Sequence, residues 1–207
     1  MIAIVDYGSG NIQAVKNIYD KLGIKSYFAK VPEDLSRANK IVLPGVGSFD
    51  QAITELNDSG MREKLDELVL NKKIPVLGVC VGMQIMAKSS EEGVLDGLGW
   101  IDATVQLFDE NILKIKPKLP HMGWNSIEVN EEHLILDGVD LDKGFYFLHS
   151  YHFVAKNLSD VLCLTYYGAK FHSAINSRNI FGFQFHPEKS HFNGIQIFKN
   201  FAELQHA

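Results

Sequence analysis

Cys80 lies in the segment Ile74-Pro75-Val76-Leu77-Gly78-Val79-Cys80-Val81-Gly82-Met83-Gln84, where an apolar run stops at a cysteine with glycines two positions before and two after it. That pattern fits a strand that turns sharply into a helix and carries a nucleophile on the bend. The glycines meet a steric need, because a tight, strained turn leaves little room for side chains beside it. Such a bend lifts the sulfur clear of a sheet and sets it at the amino end of a new helix. Unpaired N–H groups and the helix dipole there favour a thiolate. The Val81 amide is then placed to donate to an oxyanion forming on a substrate carbonyl. The spacing predicts an amphipathic helix over Val81 to Lys88. A cysteine in an apolar strand is ordinarily a small core residue, and Cys163, which lacks glycine flanks, is read that way. At Cys80 the flanking glycines and the switch from strand to helix favour chemistry.

A cysteine nucleophile needs a base, and the base needs a group to orient it. Of the eight histidines, His186 stands out at the end of Ile180-Phe181-Gly182-Phe183-Gln184-Phe185-His186-Pro187-Glu188. In extended chain, positions two apart project to the same side, so the Glu188 carboxylate can bond one imidazole nitrogen and leave the other for the thiol. Pro187 stiffens the link by fixing its own φ and restricting His186. Without Cys80, both residues would read as surface groups at a strand end. His149 and His152 compete as bases but have no carboxylate at short range. His149, His152, His172, His186 and His191 could in principle bind a metal. The sequence has no HExxH or CxxC spacing, so neither a metal nor another cofactor is expected.

The first half of the chain supplies the elements that would hold these groups. Apolar runs at Ile2 to Val5, Lys25 to Ala29, Lys40 to Leu43 (stopped by Pro44) and Pro75 to Val79 read as strands. Helical spacing occupies Ile12 to Leu22, Phe49 to Leu56 and Met61 to Leu70. This βαβα series predicts a mainly parallel sheet covered by helices, with functional residues at the carboxyl ends of its strands. Asp6-Tyr7-Gly8-Ser9-Gly10-Asn11, Pro44-Gly45-Val46-Gly47-Ser48-Phe49 and Cys80-Val81-Gly82-Met83-Gln84 fall at those ends. The second half reads as short strands, partly antiparallel: Ala103 to Phe108, Ser126 to Val129, Phe145 to Leu148, Tyr151 to Ala155, Val161 to Tyr166, Phe171 to Ile175 and Ile180 to Phe185. A helix over Gly194 to Leu204 follows, and the proline-bearing Ile115 to Trp124 segment reads as a loop.

The chain has 207 residues, no dividing linker and no repeat, so one domain over 1–207 is expected. Its net charge is -5 with no basic block, which argues against nucleic acid or an anionic membrane as partner. The amino-terminal apolar run ends at Asp6 without a basic flank, unlike a signal peptide, and no apolar stretch is of membrane-spanning length. Two cysteines suit a reducing cytoplasm better than a secreted disulfide scaffold.

Gly78-Val79-Cys80-Val81-Gly82-Met83-Gln84 together with Gly182 to Ser190 resembles the class I (triad) glutamine amidotransferases. Met1 to Asn17, Leu43 to Phe49, Leu119 to Ile127 and Tyr146 to His152 are similar to the glutaminase subunits of imidazole glycerol phosphate synthase, and the likeness runs from Met1 to near Phe201. The resemblance implies an α/β, flavodoxin-like single-domain fold whose mostly parallel sheet gains antiparallel strands in the carboxyl-terminal half. It implies a γ-glutamyl thioester on Cys80, with His186 as general base and acid and Glu188 as its orienter. Gly45, Val46 and Gly47 would form an oxyanion strand whose amides turn inward on activation. Gly45, Gln84 and the backbone at Ser150 and Tyr151 would hold L-glutamine. Asn11, Trp124 and Tyr146 match positions near the interface with a (β/α)8-barrel cyclase, the heterodimer partner that would receive the ammonia. A paralogue feeding a sugar amidotransferase of surface-glycan synthesis is the alternative within the family. Outside it stand another elbow-cysteine enzyme, such as a thiol hydrolase or a DJ-1-type protein, and a non-catalytic subunit. The first has no reason to carry His-Pro-Glu, and the intact triad counts against the second.

Overall fold

The apolar runs of the first half fold as strands buried on both faces, which explains why they read as continuous rather than alternating. The computed structural model describes residues 1–113 and 118–205. In chain order the elements are β1 (Ile2–Val5), α1 (Ile12–Lys21), β2 (Ser26–Ala29), β3 (Lys40–Gly45), α2 (Phe49–Asp58), α3 (Arg62–Asp66), β4 (Val76–Cys80) and α4 (Val81–Gln84). Then come β5 (Ser89–Ser90), β6 (Ala103–Leu107), β7 (His121–Asn125), β8 (Glu128–Val129), β9 (Phe145–His149) and β10 (Tyr151–Ala155). The chain continues with β11 (Val161–Tyr167), β12 (Ala169–Ser177), β13 (Ile180–Phe183) and α5 (His191–Glu203).

The main sheet runs β2-β1-β3-β4-β13-β12-β10-β6-β5. The first five strands are parallel, and β12, β10 and β6 add antiparallel pairs. This is the expected α/β architecture. Register places Gly45 opposite Cys80 and Phe183 opposite Val79, so the ends of β3, β4 and β13 converge on one edge. A separate two-stranded sheet pairs β7 with β9, with Trp124 opposite Tyr146 and His121 opposite His149. Tyr19 of α1 meets Phe198 of α5 edge to face at 5.5 Å, one of the contacts that close the core. Among the described residues, no helix is long and apolar enough to cross a membrane.

Several expected boundaries move. β3 runs through Pro44 to Gly45 instead of stopping. Its pairing with β1 ends at Val42, and a residue lacking an N–H is tolerated beyond that point. The helix after Cys80 is a single turn, Val81–Gln84, and not the amphipathic helix expected to Lys88. The Met86 and Ala87 amides donate only three residues back, to Met83 and Gln84, and the Lys88 amide donates to the Ala103 carbonyl of β6, so the helix has no bond to continue on. The carbonyls of Ile85, Met86 and Ala87, left open by that stop, accept from the amides of Leu98, Ile101 and Gly99. These residues are buried on every side, which is why no polar face forms. After α3 the chain widens into one π turn over Glu67–Asn71. Of the segment read as a proline loop, 114–117 lie outside the described residues, while His121–Asn125 pair with β9 as a strand. The carboxyl-terminal helix starts earlier than expected, its first turn closed by the Gly194 amide donating to the Ser190 carbonyl at 3.2 Å.

Candidate active site

Cys80 adopts φ 55° and ψ -113°, a conformation rarely taken by a residue with a side chain. The packing around the bend shows why its flanks are glycine. A Cβ on Gly82 would stand 1.9 Å from the Leu43 carbonyl oxygen of β3, and one on Gly78 would stand 2.6 Å from the Gly82 oxygen. The bend is thus pressed against the neighbouring strand, and the strain at Cys80 is held by that contact. With so short a helix behind it, Cys80 has one turn of free backbone N–H groups rather than a long dipole.

His186 follows β13 and is tied to β9. Its amide donates to the Tyr146 carbonyl at 2.8 Å, and its own carbonyl accepts from the Ser190 hydroxyl at 2.6 Å. The Ser190 oxygen in turn accepts from the Tyr146 amide at 3.0 Å. His186 Nδ1 lies 2.9 Å from Glu188 Oε1, and the two side chains are only 3% and 2% exposed. The route to this contact differs from the extended chain expected. Pro187–Lys189 form a turn of 3-10 helix, and the turn swings the carboxylate back to the ring. The other ring nitrogen, Nε2, is left for Cys80. Burial alone would lower the His186 pKa, but the bond to Cys80, then the bond to Glu188 and their charges, outweigh it and hold the ring at about 10. The two rival bases are unsuited. Burial pushes His149 far below its ordinary value, and burial lowers His152 to about 4.

A cleft of about 310 Å³ opens over this edge. Val46, Gly47, Cys80, Val81, Gln84, Ser150, Tyr151 and His186 all line it, so residues far apart in sequence are brought together. Glu188 sits behind His186 rather than in the wall. Gly45 is not in the lining either; it is buried against the Val81-Gly82 backbone, where a Cβ would meet the Gly82 nitrogen at 2.3 Å. Gln84 Nε2 donates to the Tyr151 carbonyl and to Gln184 Oε1, both at 3.0 Å. Gln184 Nε2 lies 3.8 Å from the Cys80 sulfur.

The Val46 amide does not face the cleft. It donates to Ser9 Oγ at 3.0 Å, and the same hydroxyl donates to the Val46 carbonyl at 2.8 Å. Ser9 therefore clips both ends of one residue in the segment expected to form the oxyanion strand. Its sequence signal, a serine between two glycines, is that of any turn. Glu92, Pro120, Leu148 and Lys189 also line the cleft without having been singled out for it, as does His149, expected only as a rival base. Lys189, next to Glu188 and following the His-Pro-Glu motif, carried the strongest missed signal. Its ammonium sits 5.7 Å from the Tyr146 ring centre.

The residues expected near an interface divide into two places. Trp124 and Tyr146 are cross-strand neighbours, and Trp124 is 49% exposed and stacks on His191 at 5.3 Å. Met122 and Leu148 form the next exposed pair on the same face, so an apolar ribbon leads to the cleft wall. Asn11 stands half-buried at the amino end of α1. Among the described residues, no group of His, Cys, Asp or Glu is arranged to hold a metal ion.

A buried imidazole between a strained cysteine and a carboxylate, facing a small cleft, suits acyl transfer through a thioester. Comparison with known proteins agrees. The pattern of the family "Glutamine amidotransferase class-I" matches residues 3–204. The chain is 49% identical to the imidazole glycerol phosphate synthase subunit HisH of Bdellovibrio bacteriovorus, over 99% of this chain and 100% of that one. It is 47% identical to subunit HisH 2 of Pseudomonas aeruginosa, again over 99% of this chain and 100% of that protein. Among solved structures, a glutamine amidotransferase superimposes with TM-score 0.70 at 18% identity, covering 99% of this chain and 100% of that one. PurLQS of Thermotoga maritima gives 0.71 at 15% identity, over 97% and 96% of the two chains, a likeness of fold. The chain belongs to the class-I glutamine amidotransferases and, within them, to the HisH subunits of imidazole glycerol phosphate synthase.

Proposed function

We propose that Cys80, His186 and Glu188 hydrolyse L-glutamine, and that the ammonia passes to a (β/α)8-barrel cyclase subunit. The observation that carries this reading is the His186 ring set between Glu188 and Cys80 inside the cleft. The Cys80 thiolate attacks the side-chain amide carbon of glutamine. The Val81 amide, joined by amides of the 45–47 segment, receives the developing oxyanion. The protonated His186 gives its proton to the departing nitrogen, which leaves as ammonia, and a γ-glutamyl thioester remains on the sulfur. Water then attacks the thioester, neutral His186 takes its proton, and glutamate leaves. Glu188 keeps the ring oriented and favours its charged form. Gln84 and the backbone at Ser150 and Tyr151 hold the amino-acid end.

The cyclase uses the ammonia to form imidazole glycerol phosphate and an aminoimidazole carboxamide ribotide in histidine biosynthesis. Confinement matters, because ammonia free in neutral water is mostly ammonium, which is not nucleophilic. Trp124 and Tyr146 with their apolar ribbon, and Asn11, contribute to the docking face. The chain works as one domain over 1–207, in the cytoplasm. The Ser9 clip on Val46 supports partner control, since an amide bonded to Ser9 is not free to stabilise an oxyanion. Docking must break that clip to complete the site.

Glutamate release from L-glutamine, with and without the cyclase, tests this for wild type and Cys80→Ala. Weak release alone, strong release with partner and none from the variant are expected. Full activity of Cys80→Ala would end the reading. Product analysis in the complex distinguishes the histidine route from amination of a sugar.

A further inference from the structure

Two histidines of the cleft region take no part in the steps above, yet they form a buried, fully hydrogen-bonded pair. His121 and His149 face each other across β7 and β9 and are 4% and 6% exposed. Their hydrogen bonds determine where every ring proton sits. His149 Nδ1 lies 2.8 Å from the Tyr151 carbonyl, which can only accept, so Nδ1 carries a proton. In a neutral ring its Nε2 is then bare. His121 Nδ1 lies 3.1 Å from that Nε2 and must be the donor. This leaves His121 Nε2 bare, and the Asn125 Nδ2 group, 3.2 Å away, donates to it. The same Asn125 nitrogen donates to the Tyr166 carbonyl at 3.0 Å, which fixes the amide's orientation. The bonds therefore all run one way, from Asn125 at the half-exposed end to the Tyr151 carbonyl.

The surroundings keep both rings neutral. His121 is stacked on Phe147 at 4.7 Å and on Tyr167 at 4.0 Å. Phe108 and Phe171 each stand 5.3 Å from the His149 ring. The titratable groups that face His149 are His121, His152 and His186, all of which disfavour a charge on it. No acidic side chain among the described residues bonds to either ring. Protonating either histidine would set two donors against each other and break the chain.

The far end of this chain is the cleft wall. The Tyr151 carbonyl accepts from His149 and also from Gln84, and Gln84 leads through Gln184 to the Cys80 sulfur. We propose that His121 and His149 are positioning residues for glutamine: a neutral, one-directional relay that holds the 149–151 backbone in its glutamine-binding shape. This rests on the reading that Ser150 and Tyr151 hold the substrate. Neither histidine touches the reacting atoms, so its loss should weaken substrate binding more than the chemical step.

Two measurements test it. In ¹⁵N NMR of the ring nitrogens at neutral pH, both histidines should show a protonated Nδ1 and a bare Nε2, whereas free histidine prefers the opposite tautomer. A charged ring, or a proton on His149 Nε2, would overturn the relay. In the complex with its cyclase, His121→Phe should raise KM for L-glutamine about tenfold with kcat changed less than about twofold, the scale of one buried hydrogen bond with its stranded partner. His121→Asn, which returns a donor near the position of Nδ1, should restore most of the KM. If His121→Phe does not fold, Asn125→Ala at the outer end should raise KM about threefold, one weaker bond being lost. Unchanged KM, equal loss in kcat, or no rescue by asparagine would refute the positioning role while leaving the glutaminase intact. Wild type that releases no glutamate would sink the parent reading as well.

Discussion

The two sides of the cleft are built differently. On one side Cys80 and His186 are 4% and 3% exposed, held by a strained bend, a carboxylate and the bond the His186 amide donates to the Tyr146 carbonyl of β9. On the other, Val46 is 42% exposed, and its amide is bonded to a single serine hydroxyl on a glycine-rich turn. The first side is over-determined and has little freedom to change. The second hangs on contacts worth roughly 1 kcal/mol each and is free to switch. On the proposed mechanism, the contrast means that the nucleophile stands ready while the oxyanion site waits. Control by a partner then acts on charge stabilisation, not on making the attacking group.

Breaking the fixed side should have the largest effect. Cys80→Ala should reduce glutamate release in the complex by at least about 10⁴-fold, as when a nucleophile is removed from other triads. Glu188→Gln should cost up to about 10⁴-fold in kcat through misoriented imidazole, less than the roughly 10⁶-fold that loss of the nucleophile costs in other triads. The same change should lower the His186 pKa, because Glu188 is one of the groups raising it. NMR titration of wild type should show His186 charged at neutral pH and losing its proton near 10. A folded-state value raised above the ordinary 6.5 stabilises the protein fully below 6.5, and that share is lost as pH rises through about 10. His121 behaves oppositely. Burial lowers it from 6.5 to about 4, so the unfolded chain binds the proton first and stability falls as pH drops through that window. Denaturant melts at pH 7 and pH 5 check the sign.

Breaking the switchable side should have smaller effects of the other sign. Ser9→Ala removes the clip and should raise partner-free glutaminase activity about tenfold, with little change in the complex, if one bond of about 1 to 1.5 kcal/mol holds the segment. Lower activity in both states would show that Ser9 builds the site and does not restrain it. Trp124→Ala should weaken cyclase binding by about 1 to 2 kcal/mol, measurable by calorimetry, without altering turnover at saturating partner.

The same division governs what could be read from the sequence. That Cys80, His186 and Glu188 come together was legible because each stands in a short motif beside glycine or proline, where backbone demands are local. The length of α4 was not, since the Lys88 amide is claimed by Ala103 and the carbonyls just after the helix by amides from 97–101, contacts no spacing near Cys80 encodes. β7 was hidden for the same reason: His121–Asn125 become a strand by pairing with β9, with partners twenty or more residues later. Ser9 acts on a residue 37 positions away and looks locally like an ordinary turn serine. That the Gly45-Val46-Gly47 amides must turn inward was implied by the resemblance, but the Ser9 hydroxyl that holds the Val46 amide away was not.

Alkylation of Cys80 by iodoacetamide, which needs no oxyanion site, separates the two sides most directly when measured beside glutamate release. Adding the cyclase should leave the alkylation rate within about twofold while raising glutamate release about 10²-fold or more, the scale of an oxyanion donor brought into place. Alkylation and release rising together in proportion would contradict a nucleophile that stands ready before its partner arrives.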